Sequence, residues 1–205
     1  GIGSIDSAGS VNTDAGFSIV SYTGNGSAGA TIAHGLGVAP KMIIVKNRSA
    51  TSNWVVYNEN LGNNKAMFLD LTDASATSTG TFNSTSPTSS VFSVGTAGST
   101  NGSGNNLIAY CFAEKQGYSK FGSYTGNGNA NGTFVYTGFK PAWVMVKRTD
   151  AAAHWRMFDN KREGYNVDND ALKANTNDTE TTTDFIDLLS NGFKLRSSAS
   201  AVNGG

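Results

Sequence analysis

Apolar residues along this chain come in runs of about four to seven, cut apart by clusters of Gly, Asn, Ser and Thr. Short runs rich in β-branched and aromatic residues and bounded by turn formers predict strands. In the first half they predict strands over Phe17–Tyr22, Ala30–His34, Lys41–Asn47, Trp54–Tyr57, Ala66–Leu71, Ser90–Val94 and Leu107–Ala113. Met42–Val45 and Trp143–Val146 are apolar without alternation, the pattern of strands covered on both faces or lying at a sheet centre. Residues 1–15 are small and polar and read as a lead-in segment. One helical signal stands out. At Thr183–Leu189 a capping threonine precedes Phe185, Ile186, Leu188 and Leu189, and Asn191-Gly192 follows as a stop, which predicts one short turn of helix.

The pattern occurs twice. Tyr22-Thr23-Gly24-Asn25-Gly26 returns as Tyr124-Thr125-Gly126-Asn127-Gly128. Pro40 answers to Pro141, Trp54 to Trp155 and Phe92 to Phe193, each at an offset of 101 residues. A repeat of that length is the size of a small domain rather than of a solenoid or propeller unit. The chain therefore reads as a lead-in over 1–15, one module over 16–116 and a second over 117–205. About seven strands in each predict an all-β protein of two tandem antiparallel β-sandwich modules, jelly-roll or lectin-like. The join at Ala113–Gly117 is short and predicts a rigid tandem. At the constant offset Gly205 aligns with Gly104, so the second module reads as lacking its last strand, the counterpart of Leu107–Ala113. Truncation explains that, and so does a strand donated by a neighbouring subunit.

Composition narrows the function classes. Fifteen basic and fifteen acidic residues cancel, so there is no basic excess for nucleic-acid capture. Charged residues are only 15% of the chain and 25 residues are glycine, which fits a turn-rich β protein and not a disordered one. No apolar run approaches a membrane span, and no membrane insertion is expected. Cys111 is the lone cysteine, in the apolar run Leu107–Ala113, and reads as a buried, inert thiol.

The search for chemistry nominates no catalytic residue and no cofactor. His34 and His154 have no histidine counterpart in the other copy and read as surface or turn residues. Asp168, Asp170, Asp178 and Glu180 supply oxygens that could hold Ca²⁺, but without the convergence a six- to eight-oxygen site needs, so no metal is assigned. The Gly-Asn-Gly segments lack a following helix to cradle phosphate and read as hairpin turns. Asn-x-Ser/Thr triplets at Asn25, Asn47, Asn83, Asn101, Asn131 and Asn177 are expected by chance in such a composition. Trp54, Trp155 and Trp143 read as core. The candidate binding residues are Tyr22, Asn25, Tyr124, Asn127 and Asn129: aromatic faces flanking exposed loops could stack on a pyranose, with asparagines for its hydroxyls.

The strings Gly16–Gly26, His34–Asn47 and Tyr110–Ser119 resemble a module common in tailed phages of marine bacteria, including cyanophages, in tail-fibre-like and other virion structural proteins. The resemblance covers roughly residues 10 to 205. In such proteins the second copy closes with an apolar strand ending in Ala-Phe-Ala-Glu, which is absent here. The resemblance implies a place in a virion and no reaction. Expected partners are other virion proteins, further copies of the chain in a homo-oligomer (a trimer by analogy) and a host-surface glycan. Three readings follow: a tail-fibre or appendage protein contributing to glycan attachment, a purely structural decoration, collar or fibre subunit, and a glycan-cleaving depolymerase. The last would require a carboxylate pair, and none recurs between the copies.

Overall fold

The computed structural model describes residues 1–162, 166 and 168–205, and of residues 168 and 169 the backbone. The chain is all-β and folds into two compact units, Gly1–Leu69 with Ser75–Phe121, and Asp70–Ala74 with Gly122–Gly205.

The first unit contains β1 (Ser7–Asn12), β2 (Phe17–Thr23), β3 (Ala30–Ala33), β4 (Met42–Asn47), β5 (Val55–Asn58), β6 (Lys65–Phe68), β7 (Ala76–Thr77), β8 (Val91–Val94) and β9 (Asn106–Phe112). Two four-residue helices, α1 (Thr79–Phe82) and α2 (Gly98–Asn101), flank β8. Seven strands form one sheet in the order β1-β2-β9-β4-β5-β6-β7, and β3 pairs β8 in a second. β4 is the middle strand, so Met42, Ile43, Ile44 and Val45 are all buried, as their unbroken apolar run predicts. Residues of both sheets share one core: Val20, Tyr22, Ile43, Val45, Val55 and Tyr57 from the larger, Ile32, Phe92 and Val94 from the smaller. Ser7–Asn12 is a strand where a lead-in was expected. Its small polar residues carry little strand preference, and the ladder from Ser7↔Tyr22 to Asn12↔Phe17 is what forms it, as an exposed sheet edge.

The second unit contains β10 (Phe134–Tyr136), β11 (Trp143–Val146), β12 (Arg156–Asp159), β13 (Asp168–Lys173), β14 (Thr181–Leu189), β15 (Gly192–Leu195) and α3 (Ser200–Asn203). Its six strands run β10-β15-β14-β13-β12-β11 around a core of Val144, Val146, Phe158, Ile186, Leu188, Phe193 and Leu195. The predicted helix at Thr183–Leu189 is instead most of β14. Ile186 pairs Leu195 and Leu188 pairs Phe193, and the expected stop is a two-residue turn at Ser190–Asn191 that leads into β15. A register shift against β13 lets Phe185 and Ile186 both be buried, which mimics helical spacing in the sequence. Trp143 is 54% exposed rather than core. β11 lies at a sheet edge with β12 as its partner, whereas its counterpart β4 lies between β9 and β5.

Candidate functional site

The repeated Tyr-Thr-Gly-Asn-Gly segments lead out of β2 in the first unit and toward β10 in the second. In the first unit the loop joins β2 to β3, which belong to different sheets, so it is a crossover between sheets and not a hairpin. Gly26 (φ +72°) and Gly128 (φ +64°) take the left-handed backbone that such a tight reversal requires.

Each loop is held by an asparagine at the end of a four-residue helix. Asn101 closes α2 and is fully buried. Its Nδ2 donates to the carbonyls of Ser27 (2.9 Å) and Gly95 (2.8 Å), and its Oδ1 accepts from the Asn25 amide (2.9 Å). Its backbone carbonyl accepts from the Gly26 amide at 2.9 Å. Asn203 closes α3, equally buried, and repeats the set. Its Nδ2 donates to Asn129 O (2.7 Å) and Ser197 O (2.8 Å), and its Oδ1 accepts from the Asn127 amide (3.0 Å). Its carbonyl accepts from the Gly128 amide at 2.8 Å. A buried primary amide with every position engaged is a rigid clamp, because releasing the loop would strand donors and acceptors away from water.

The same clamp decides what the tyrosines do. The Tyr22 hydroxyl donates to Thr100 O at 2.7 Å and the Tyr124 hydroxyl to Val202 O at 2.5 Å, the residue before the clamp in each case. Tyr22 is 5% exposed and stands edge-on to Phe92, with ring centres 6.1 Å apart; Tyr124 is half-buried against Phe193 in the same manner. Burial pushes both phenols well above their ordinary titration range. The stacking role expected of Tyr22 is therefore ruled out, since its face belongs to the core, and Tyr124 anchors its helix in the same way. Asn25, Asn127 and Asn129 do sit exposed at the loop tips, but their side chains shape the loops. Asn25 Oδ1 accepts from the Ser27 amide, Asn127 Oδ1 from the Asn129 amide and Asn129 Oδ1 from the Asn131 amide. Tyr22 and Asn25 thus share one loop, and Tyr124, Asn127 and Asn129 another.

Over residues 1–205 the chain matches the family described as a domain of unknown function, DUF7483. It belongs to that family. No curated protein and no solved structure matches it.

In this DUF7483 chain the remaining candidates resolve into structural roles. His34 is buried, not a surface residue. Gly35 (φ +74°) turns the chain so that the imidazole points inward, where Nε2 meets Thr88 O at 3.1 Å and Nδ1 accepts from the Leu36 amide at 3.2 Å. That arrangement fits the neutral ring, and burial lowers its pKa against the opposing pull of the Thr88 bond. His154 Nδ1 lies 2.9 Å from the Asn175 amide nitrogen. The side chains of Asp168 and Asn169 lie outside the described residues. Asp170 is buried in β13, Asp178 pairs with Lys173 at 2.5 Å, and Glu180 pairs with Arg162. Among the described residues no three His, Cys, Asp or Glu converge on a metal position. Cys111 is fully buried in β9, and burial pushes its thiol up to about 12.

Asn101 and Asn203 are the residues that the reading of the sequence missed. Their signal was present: Ala97-Gly98-Ser99-Thr100-Asn101-Gly102 answers to Ala199-Ser200-Ala201-Val202-Asn203-Gly204 at an offset of 102, not 101. Gly205 therefore matches Ser103 rather than Gly104.

Proposed function

We propose that this chain is a non-enzymatic structural protein of a phage virion, a tail-fibre or appendage segment. In this reading it is built from two tandem antiparallel β-sandwich modules. The observation that carries the reading is the duplicated clamp. The residues common to both copies are engaged in fixing loops and sealing cores, which is what a load-transmitting scaffold needs from repetition. The edge of β11, whose own first residue Trp143 is exposed, favours packing against a further strand, in keeping with a homo-oligomer or with other virion proteins as partners. The test is immunogold labelling of purified virions with antibodies raised against the chain. Gold on the tail or its appendages supports the proposal, and virions without label or protein overturn it.

Attachment to a host-surface glycan is the second part of the proposal, and it cannot run through a Tyr22 stacking face. A purely structural subunit is the competing reading, favoured by the burial of Tyr22. Binding of the fluorescently labelled chain to host cells separates the two.

A further inference from the structure

A groove in the first unit combines unengaged polar groups on a rigid frame. It lies where the start of β1, the end of β2, the segment after β4 and the start of β9 meet, and it encloses about 490 Å³. Asp6, Ser7, Thr23, Arg48, Ser49 and Asn106 supply its polar lining.

The frame is set by Asn47, 2% exposed at the end of β4. Its Oδ1 accepts from the amides of Ser49 (2.9 Å) and Ala50 (3.1 Å), and its Nδ2 donates to Gly98 O at 2.8 Å. The turn that presents Arg48 and Ser49 is thereby fixed to α2. Asn106 is held across from it: its amide donates to Ser49 Oγ (2.8 Å), its carbonyl accepts from the Arg48 amide (2.8 Å), and its Oδ1 accepts from Thr23 Oγ1 (3.3 Å). These bonds leave the Asn106 Nδ2 donors and the Ser49 hydroxyl proton unspent. Among the described residues, no group pairs with the Arg48 guanidinium or the Asp6 carboxylate, and the two do not pair with each other although they line one groove. In the second unit the cation after β11 is engaged: Arg148 Nε pairs with Asp150 at 2.7 Å, and its Nη1 donates to Ser200 O at 3.2 Å.

We propose that this groove binds a saccharide unit of a surface glycan. A carboxylate accepts from two neighbouring hydroxyls, while a guanidinium, an amide NH₂ and a serine hydroxyl donate to hydroxyl oxygens, so the groove can satisfy a ligand that is donor and acceptor at every position. The chemistry disfavours the alternatives. One arginine faced by a carboxylate is a poor site for phosphate, and the charged Asp6 and Arg48 beside Ala8 and Leu107 suit a ligand with polar and apolar faces better than a wholly apolar one. A fixed frame lowers the ordering cost of binding, and copies in an oligomer would multiply a weak single-site affinity. The inference deepens the attachment part of the proposed function and rests on it.

The test is ¹H–¹⁵N chemical-shift titration of the whole chain with methyl glycosides of glucose, galactose, mannose and N-acetylglucosamine, and separately with inorganic phosphate. The expected result is saturable shifts at Asp6, Ser49 and Asn106 with at least one glycoside. Affinity should fall at least tenfold in Asp6→Asn and in Arg48→Ala, both exposed positions whose variants keep the wild-type spectrum elsewhere. Shifts with phosphate alone, with no glycoside, or with glycosides but unchanged in both variants each overturn the groove. Host-cell binding of the same variants, run in parallel, keeps the two failures apart. Cell binding that survives both substitutions leaves attachment standing and removes the groove, whereas wild-type chain that binds glycoside but no cell removes attachment alone.

Discussion

Replacing Asn101 tests whether the loops are clamped as the geometry requires. Asn101→Ala deletes the bonds to Gly95 O, Ser27 O and the Asn25 amide. At about 1 kcal/mol net for each bond the loss is about 3 kcal/mol. Gly95 is itself buried, so its stranded carbonyl adds about 1–2 kcal/mol, for a total of about 4–5 kcal/mol against a typical domain stability of about 5–15 kcal/mol. Asn101→Asp is the sharper probe because it keeps the shape. It turns a donor group that faces two carbonyl oxygens into an acceptor, and buries a charge. The introduced carboxyl should stay protonated in the folded state well above its unfolded value. Its raised folded pKa means that the added penalty is absent below about pH 4 and grows with rising pH by about 1.4 kcal/mol per unit, until the folded carboxyl ionises. The assay is urea unfolding of both variants and wild type between pH 4 and 8, followed by tryptophan fluorescence, with hydrogen exchange at the Asn25 and Gly26 amides as the local readout. An alanine variant destabilised by less than about 1 kcal/mol, or an aspartate variant whose difference from wild type does not move with pH, would refute the clamp.

Three further outcomes follow from the same geometry. A Cβ on Gly24 would run into the Gly102 carbonyl oxygen and one on Gly126 into that of Gly204, while one on Gly122 meets nothing within 4 Å. Gly24→Ala and Gly126→Ala should each lower the melting temperature by several degrees, and Gly122→Ala should leave it within about one degree. His34 is held neutral by burial, its folded pKa lying below the free value of 6.5. Its contribution is fully present above that value and is lost as pH falls through the lowered folded pKa, so His34→Gln should flatten the acid side of the wild-type stability profile measured by urea titration. The Cys111 thiol, at about 12, should react with a disulfide reagent at pH 8 more than about a thousandfold slower in the native chain than in urea. Native labelling at the unfolded rate would contradict its burial.

The strands of the first unit were legible because each is a short apolar run between turn formers, and β2 to β6, β8 and β9 fall within a few residues of their predicted spans. β1 was hidden because its Ser and Gly residues carry no pattern; only the β2 ladder makes it a strand. β14 was misread because a register shift places Phe185 and Ile186 both inward, which copies helical spacing. Tyr22 was misassigned for a related reason. Next to Gly-Asn-Gly, Tyr22 looks like a loop residue, and only the partner at Thr100 shows that its hydroxyl points into the fold. A sequence displays which residues flank a turn, not which distant carbonyl receives their hydroxyl.

The duplication itself argues which contacts matter. The copies align at an offset of 101 through Pro40, Trp54 and Phe92, but at 102 at Tyr22 and at Asn101, so length has been gained and lost in the turns between. The separations within each clamp have nonetheless stayed equal. Tyrosine and its carbonyl acceptor stand 78 residues apart in both units, and the loop amide and the clamping asparagine 76 apart in both. Turns can change length at little cost because they bind nothing on their own. A clamp cannot, because losing its register leaves a buried amide without partners. What the two copies share is therefore the part that holds loops still. The unpaired Asp6 and Arg48 belong to the first unit's own surface, and that is where a ligand would make the two units functionally different.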